Sequence, residues 1–202
     1  MSARALLVAV IVGLALAGAG CGSSGKAASP PATLTPACPT TPPAGPVASI
    51  QTNFGCIVVA LDTAHAPIAA GRFISLAKAG FYNGLTFHRV VPDFVIQGGD
   101  PKGDGTGGSG KAPVVGEVPK DGYPIGSLAA AKTGTDPDGT FDCQFFIVTG
   151  QQGTQLPAQY ARFGHVVTGI DVAKKIESLA PPQGDGPPTQ TVTMQKVTIT
   201  GA

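Results

Sequence analysis

Along this chain the apolar residues arrive in short bursts rather than long periodic faces. Eight bursts stand out: Val47 to Thr52, Cys56 to Leu61, Thr86 to Val91, Val95 to Gln97, Ser127 to Ala130, Gln144 to Thr149, His165 to Val167 and Thr191 to Thr200. Short runs rich in Val, Ile, Thr and Phe, bounded by Gly, Pro, Asn or Asp, predict strands. Asn53-Phe54-Gly55 separates the first two bursts and predicts a hairpin. Two stretches carry a helical period instead. Pro67 leads Ala69, Phe73, Leu76 and Ala77 to a stop at Gly80, and Asp171 is placed to cap Val172, Ile176 and Leu179 before Pro181. Parallel strands need crossover connections, and two helices supply too few of them. The pattern therefore predicts a mainly β domain, an antiparallel barrel or sandwich whose ends the helices plug.

Ahead of Val47 the pattern is different. Arg4 precedes an unbroken small-apolar stretch from Ala5 to Ala17, thirteen residues, the length of a secretory h-region and too short to span a bilayer. The string Ala19-Gly20-Cys21-Gly22-Ser23-Ser24 resembles a bacterial lipoprotein signal, with Gly18 where that signal usually has Leu. The resemblance implies cleavage before Cys21 and lipidation of its thiol; an ordinary signal peptide cut near Ala19 is the alternative. From Gly22 to Pro46 the residues are almost all Ser, Thr, Ala, Pro and Gly, the composition of an extended tether. The expected organisation is a signal peptide over 1–20, a lipidated N-terminus and tether over 21–46, and one folded domain over 47–202. The expected location is the extracytoplasmic face of a bacterial cell membrane, lipid-anchored, or alternatively outside the cell.

Composition narrows the chemistry. The chain has 202 residues, of which 29 are Gly and 19 Pro, only 12% are charged, and the formal net charge is +1. With no run of Lys or Arg, the basic footprint of a nucleic-acid binder is missing. His65, His88 and His165 are isolated, with no metal-type spacing. Gly105-Thr106-Gly107-Gly108 lacks the Lys and the helix of a phosphate loop, so it reads as a tight loop. No Gly-x-Ser-x-Gly elbow occurs and Cys143 carries no signature of a catalytic thiol. No metal or other cofactor is expected. Beyond Cys21 there are three cysteines, Cys38, Cys56 and Cys143, so one bridge at most forms within the chain. Cys56 with Cys143 is the favoured pair, because both lie in the folded domain and Cys38 lies in the tether; free or mispaired thiols are the alternative.

The run Phe87-His88-Arg89-Val90-Val91-Pro92-Asp93-Phe94-Val95-Ile96-Gln97-Gly98-Gly99-Asp100 resembles the cyclophilin signature. Further landmarks follow in the cyclophilin order: Gly105 to Gly108, Gly116-Glu117, Gly126-Ser127-Leu128-Ala129, Gln144-Phe145-Phe146-Ile147, Phe163-Gly164 and Gly169-Ile170-Asp171-Val172. The resemblance covers Val47 to Thr200. It implies a closed eight-stranded antiparallel barrel capped by two α-helices, acting without a cofactor as a peptidyl-prolyl cis/trans isomerase on Pro-containing polypeptides, as a monomer. By the same resemblance Arg89 matches the catalytic Arg and Gln97 the residue that positions it. Phe94 and Phe146 match the walls of the proline pocket, with Val95 where Met is common. Leu156 matches the pocket Leu, Tyr160 lies near the pocket His, Ala129 and Ala130 match a substrate-contacting segment, and Gln144 matches a second substrate-side Gln. His88 reads as structural. The chain has no Trp, and Gln155 stands near where many cyclophilins carry one. The reading implied is an isomerase assisting exported proteins; the alternative is a catalytically weak chaperone or adaptor that binds Pro-containing segments.

Overall fold

The computed structural model describes Cys38 and residues 45–202; Cys21, the signal segment and most of the tether lie outside them. In chain order the elements are β1 (Val47–Thr52), β2 (Gly55–Leu61), α1 (Pro67–Lys78), β3 (Thr86–Val91), β4 (Val95–Asp100), β5 (Val114–Val115), β6 (Ser127–Ala130), β7 (Thr140–Phe141), β8 (Phe145–Val148), a 3₁₀ turn (Gln152–Gln155), β9 (Arg162–Thr168), α2 (Ile170–Glu177) and β10 (Met194–Thr200). Eight strands form one antiparallel sheet in the order β10-β1-β2-β9-β6-β8-β4-β3, and β5 and β7 pair separately. All eight apolar bursts lie on strands of the large sheet. The two-residue strands β5 and β7 carry no periodic signal because two residues hold no period.

The sheet curls, but not into the closed barrel expected. Its edge strands β3 and β10 share no continuous ladder. They meet at one bridge, Thr86 with Thr193, flanked by Phe87 N donating to Val192 O at 3.0 Å and Met194 N to Leu85 O at 2.8 Å. Further along β3, Val90 is paired with Gly186 instead. Two different segments thus share that edge, so no single strand zips along it.

Pro67 begins α1, where its missing N–H costs nothing. The helix has no cap from its own entry residue, Ala66; the Glu117 carboxylate accepts from the N–H groups of Ile68 (2.9 Å) and Ala69 (3.2 Å). A carboxylate there satisfies orphan donors and suits the positive end of the helix. Gly116 lets it approach, since a Cβ at that position would lie 2.7 Å from that of Ala69. The expected Asp171 cap is not formed. α2 starts two residues earlier than that cap implies, behind Gly169 at φ +85°, and Asp171 sits within its first turn. Glycine is required at 169 because a Cβ would run into the Cys56 carbonyl.

Strand alternation divides the apolar residues. Inward-facing Ile57, Val59 and Leu61 of β2 join Phe73, Leu76 and Ala77 of α1 in the main core. Phe73 sits among Tyr82, Phe145 and Phe163, with ring centroids 4.9, 5.5 and 5.4 Å away. Outward-facing Cys56 and Val58 cluster with Val47. This alternation overturns the expected Cys56–Cys143 pair. Cys56 is bonded to Cys38, with Cα atoms 5.0 Å apart, while Cys143 is a free thiol, wholly buried in the main core. The two favoured cysteines face opposite sides of the sheet wall, whereas Cys38 is drawn to the outer one, its N–H donating to Gln51 Oε1 at 3.0 Å beside Cys56 in register. Among the described residues no helix is long and apolar enough to cross a membrane.

Candidate active site

The site grows from the registers of β3, β4, β8 and β6. Arg89 pairs with Gln97, Gln97 with Phe146, and Phe146 with Ala129, which sets these residues in one row across the sheet. Arg89 Nη1 donates to Gln97 Oε1 at 3.1 Å, and Gln97 Nε2 donates to Gln144 Oε1 at 3.1 Å. Gln144 Nε2 in turn donates to the carbonyls of Gly105 and Gly107, each at 3.0 Å. Each amide uses its oxygen on one side and its nitrogen on the other, so the chain of bonds has a single direction. The carbonyl end is held by Asp100, a buried carboxylate that accepts from the N–H groups of Lys102 (2.9 Å), Asp104 (3.0 Å) and Gly105 (2.5 Å). The start of the glycine-rich loop is therefore wrapped around a carboxylate.

Beside this chain lies a cavity of about 100 Å³. That is roughly the volume of three waters, the scale of one small ring. Val95 and Phe146 form its base, Phe94, Leu156 and Tyr160 its walls, and Arg89 and Gln97 its polar rim, with Ala131 and Lys132 completing it. Phe94 follows a turn in which Asp93 adopts φ +54°. Its carbonyl accepts from Thr149 N at 3.0 Å, and the Asp93 carbonyl accepts from Gln152 N at 2.9 Å. Gly150 and Gly153 leave no room for a Cβ against these two residues, which brings the 3₁₀ turn, and Leu156 after it, down onto the pocket. Tyr160 is fixed by Tyr123, whose hydroxyl donates to Tyr160 O (2.8 Å) and accepts from Tyr160 N (2.9 Å). A larger cavity of about 540 Å³ adjoins, bordered by Gln97, Gln144, Thr106, Lys132 and Asp142.

Of the residues singled out from sequence, the structure brings Arg89, Gln97, Phe94, Val95, Phe146, Leu156 and Tyr160 to the small cavity, and Gln144 to its neighbour. Ala129 and Ala130 do not reach either. Both are 0% exposed, Ala129 beneath Phe146 and Ala130 in the main core, because β6 is covered by β8 and β9 along its edges and by apolar side chains on both faces. The part of the segment that lines the small cavity begins one residue later, at the half-buried Ala131 and Lys132. Three successive alanines offer no side-chain difference from which that register could be read. Lys132 holds its ammonium 3.1 Å from Asp136 O and 5.6 Å above the Tyr160 ring. Gln155 is exposed, and its side chain donates to Thr154 Oγ1 at 3.1 Å.

Sequence reasoning also missed Asp185. Its carboxylate accepts from Arg89 Nε and Nη2, both at 2.7 Å, the two-pronged geometry that suits a guanidinium. Those hydrogen bonds hold its carboxyl below the ordinary carboxylate value. Nothing in the polar run around Asp185 signals a partner 96 residues away. His88 is buried, and among the described residues neither ring nitrogen has a hydrogen-bond partner; burial lowers its pKa and keeps the ring neutral. The Cys143 thiol is pushed up to about 12 by burial and nearby carboxylates. Among the described residues, apart from the Tyr160 phenol, no hydroxyl or thiol lines the small cavity. Its chemistry is thus to seat a small apolar ring beside a fixed cationic N–H donor.

Comparison with known proteins points the same way. Residues 47–199 match the family described as cyclophilin type peptidyl-prolyl cis-trans isomerase/CLD. The chain is similar to peptidyl-prolyl cis-trans isomerase ppi1 of Schizosaccharomyces pombe, 38% identical over 143 residues, 68% of this chain and 89% of that one. It is also similar to a peptidyl-prolyl cis-trans isomerase of Helicobacter pylori, 41% identical over 143 residues, 68% of this chain and 81% of the other. Among solved structures, a Cryptosporidium parvum cyclophilin type peptidyl-prolyl cis-trans isomerase, crystallised in the presence of the dipeptide Ala-Pro, superposes with a TM-score of 0.69 at 27% identity, covering 77% of this chain and 99% of that one. With the strand order and the small apolar cavity beside Arg89, these matches show that the chain belongs to the cyclophilin-type peptidyl-prolyl cis-trans isomerases.

Proposed function

We propose that this isomerase turns over X-Pro bonds with Arg89 as its catalytic residue, and that it does so for exported proteins from the outer face of a bacterial membrane. The barrier to rotation, about 18–20 kcal/mol, comes from partial double-bond character in the peptide C–N bond. Twisting the bond localises electrons on the prolyl nitrogen. A guanidinium donor beside the ring stabilises that twisted state more than the planar one, which is what lowers a barrier. Phe94, Phe146 and Leu156 would hold the ring and exclude water, and the adjoining cavity would take a neighbouring residue of the polypeptide. The observation that carries this reading is the unbroken chain Arg89–Gln97–Gln144–Gly105, which fixes the donor beside a ring-sized cavity. A protease-coupled assay on an X-Pro peptide tests it: turnover by the full chain is expected, with most of it lost in Arg89→Ala.

The location rests on the Met1 to Cys21 segment and is supported by the Cys38–Cys56 disulfide, since such bonds persist in oxidising compartments. A diacyl group on Cys21 supplies two chains, enough for stable anchoring. Cys21→Ser should move the protein from the membrane fraction to the soluble one. Retention as firm as in wild type would overturn the anchor.

A further inference from the structure

Asp185 lies in the segment Pro181-Pro182-Gln183-Gly184-Asp185-Gly186-Pro187-Pro188, between α2 and β10. Proline removes backbone freedom on both sides of the Gly-Asp-Gly tip. The segment is tied at three levels. Thr189 N donates to Leu179 O at its base (2.8 Å), Gly184 N donates to Pro181 O in a turn (2.8 Å), and Val90 N donates to Gly186 O at its tip (2.8 Å). Gly184 and Gly186 take φ +88° and +148°, which a side chain resists.

The last tie decides where the carboxylate stands. Val90 and Gly186 form an antiparallel bridge, so Arg89 and Asp185, each one residue before a bridging partner, fall on the same face, diagonally across it. Diagonal neighbours are within reach of a long side chain. A guanidinium has five N–H donors in a fixed fork. Asp185 accepts two of them, through Nε and Nη2, and Gln97 one, through Nη1, which leaves one on each terminal nitrogen. Arg89 lines the small cavity and Asp185 does not, so the carboxylate grips the guanidinium from outside the pocket.

We propose that Asp185 is a positioning residue for catalysis: a carboxylate on a stiffened loop that, opposite Gln97, locks the Arg89 guanidinium so that its remaining N–H donors meet the prolyl nitrogen. The inference rests on Arg89 acting at the twisted bond. Gln97 alone contacts one nitrogen and leaves the plane of the fork free to turn about that contact; the two-pronged pair removes that rotation. An acceptor that touches no substrate acts on kcat more than on KM.

The experiment is steady-state kinetics of the full chain on an Ala-Pro peptide, in wild-type and Arg89→Lys backgrounds, with thermal midpoints recorded for each variant. Since misplacing a catalytic group by an ångström costs on the order of a hundredfold and Gln97 still holds one nitrogen, Asp185→Ala should lower kcat about tenfold with KM within about twofold. Asp185→Asn, which keeps one acceptor oxygen, should lose about threefold. In Arg89→Lys, where the fork is gone, adding Asp185→Ala should change the residual rate by less than about twofold. Equal losses in both backgrounds would mean that Asp185 only supports the fold. A wild-type or raised kcat in Asp185→Ala would overturn the inference while leaving Arg89's role intact. Wild-type turnover by Arg89→Lys would remove Arg89's role and this inference with it.

Discussion

Strands β4, β6 and β8 are apolar on both faces, yet the two faces do different things. Ile96, Leu128, Ala130, Phe145 and Ile147 point into the main core, which α1 and the remaining strands seal. Val95, Ala129, Phe146 and Val148, one residue out of step, join Tyr123 in a second cluster of only five buried residues. Phe94, Ala131, Leu156 and Tyr160 cover that cluster only partly, and the uncovered part is the small cavity. Phe145 is 0% exposed and Phe146 5%, so burial alone does not separate a core residue from a pocket residue. What separates them is the covering layer. The inner face meets other secondary structure, and the outer face meets a turn, a loop and a row of polar side chains.

Exchanging the neighbouring phenylalanines puts the comparison under the greatest strain. Phe145→Ala removes a ring packed edge-on against Phe73, Tyr82 and Phe87, and should cost about 3–5 kcal/mol of stability in a denaturant titration. Phe146→Ala borders space already open, so its stability loss should be smaller, while KM for an X-Pro peptide rises. Equal destabilisation by both would show that the outer cluster is simply more core.

Arg89→Ala sharpens the distinction from the polar side. Its ion pair with Asp185 is half-exposed, at 36% and 54% of the two side chains, and such pairs contribute little to stability. Turnover should fall about a hundredfold or more, on the order of 3 kcal/mol of transition-state stabilisation, with the melting temperature unchanged. A parallel loss of folding would make Arg89 structural.

The disulfide lies on the outer face of β1 and β2, on neither of these two faces. It closes a loop of 18 residues, and its loss in Cys38→Ser/Cys56→Ser should cost about 3 kcal/mol by the chain-entropy account. Isomerase activity of the folded variant should match wild type. A lowered kcat would mean that the β1–β2 face communicates with the pocket.

Ionisation gives the smallest effect. On the outer face the Arg89 hydrogen bonds hold the Asp185 carboxyl below its ordinary value, whereas the main core holds Cys143 protonated, its pKa raised to about 12. The folded state then binds the thiol proton more tightly than the unfolded state does. Stability from this source is complete below the unfolded thiol value, near 8.5, and is lost as pH rises from there towards 12. Near pH 9.5 the loss is about 1 kcal/mol. Urea titrations of wild type and Cys143→Ala should differ by a gap that changes over this range; a constant gap would mean the thiol does not titrate differently on unfolding.

Much of this architecture was legible one residue at a time. Short apolar bursts such as Ser127 to Ala130 and Gln144 to Thr149, bounded by Gly126 and Gly150, marked strands, and Asn53-Phe54-Gly55 marked the hairpin that pairs β1 with β2. Other features were illegible for definite reasons. Ala129-Ala130-Ala131 is a run of identical side chains, so the point where the strand emerges could not be seen. Cys56 looked like a partner for Cys143 because sequence shows which strand holds a residue more readily than which side of the wall it faces. Glu117 capping α1 and Asp185 gripping Arg89 each join segments 48 or more residues apart, with no local mark on either.

By itself the sequence determined the mainly β character, the first hairpin, the two helices and, through its motifs, the residues Arg89, Gln97, Phe94 and Phe146 that line the small cavity, because apolar bursts, turn chemistry and motif order are properties of neighbouring residues. Tertiary structure alone decided that the sheet edges meet at one bridge, that Cys38 rather than Cys143 reaches Cys56, that the part of this segment lining the small cavity starts at Ala131, and that a carboxylate stands behind Arg89. Each of these depends on which distant surfaces the curl of the sheet brings within hydrogen-bonding or bonding distance, and curl is set by packing of the whole core rather than by any local run.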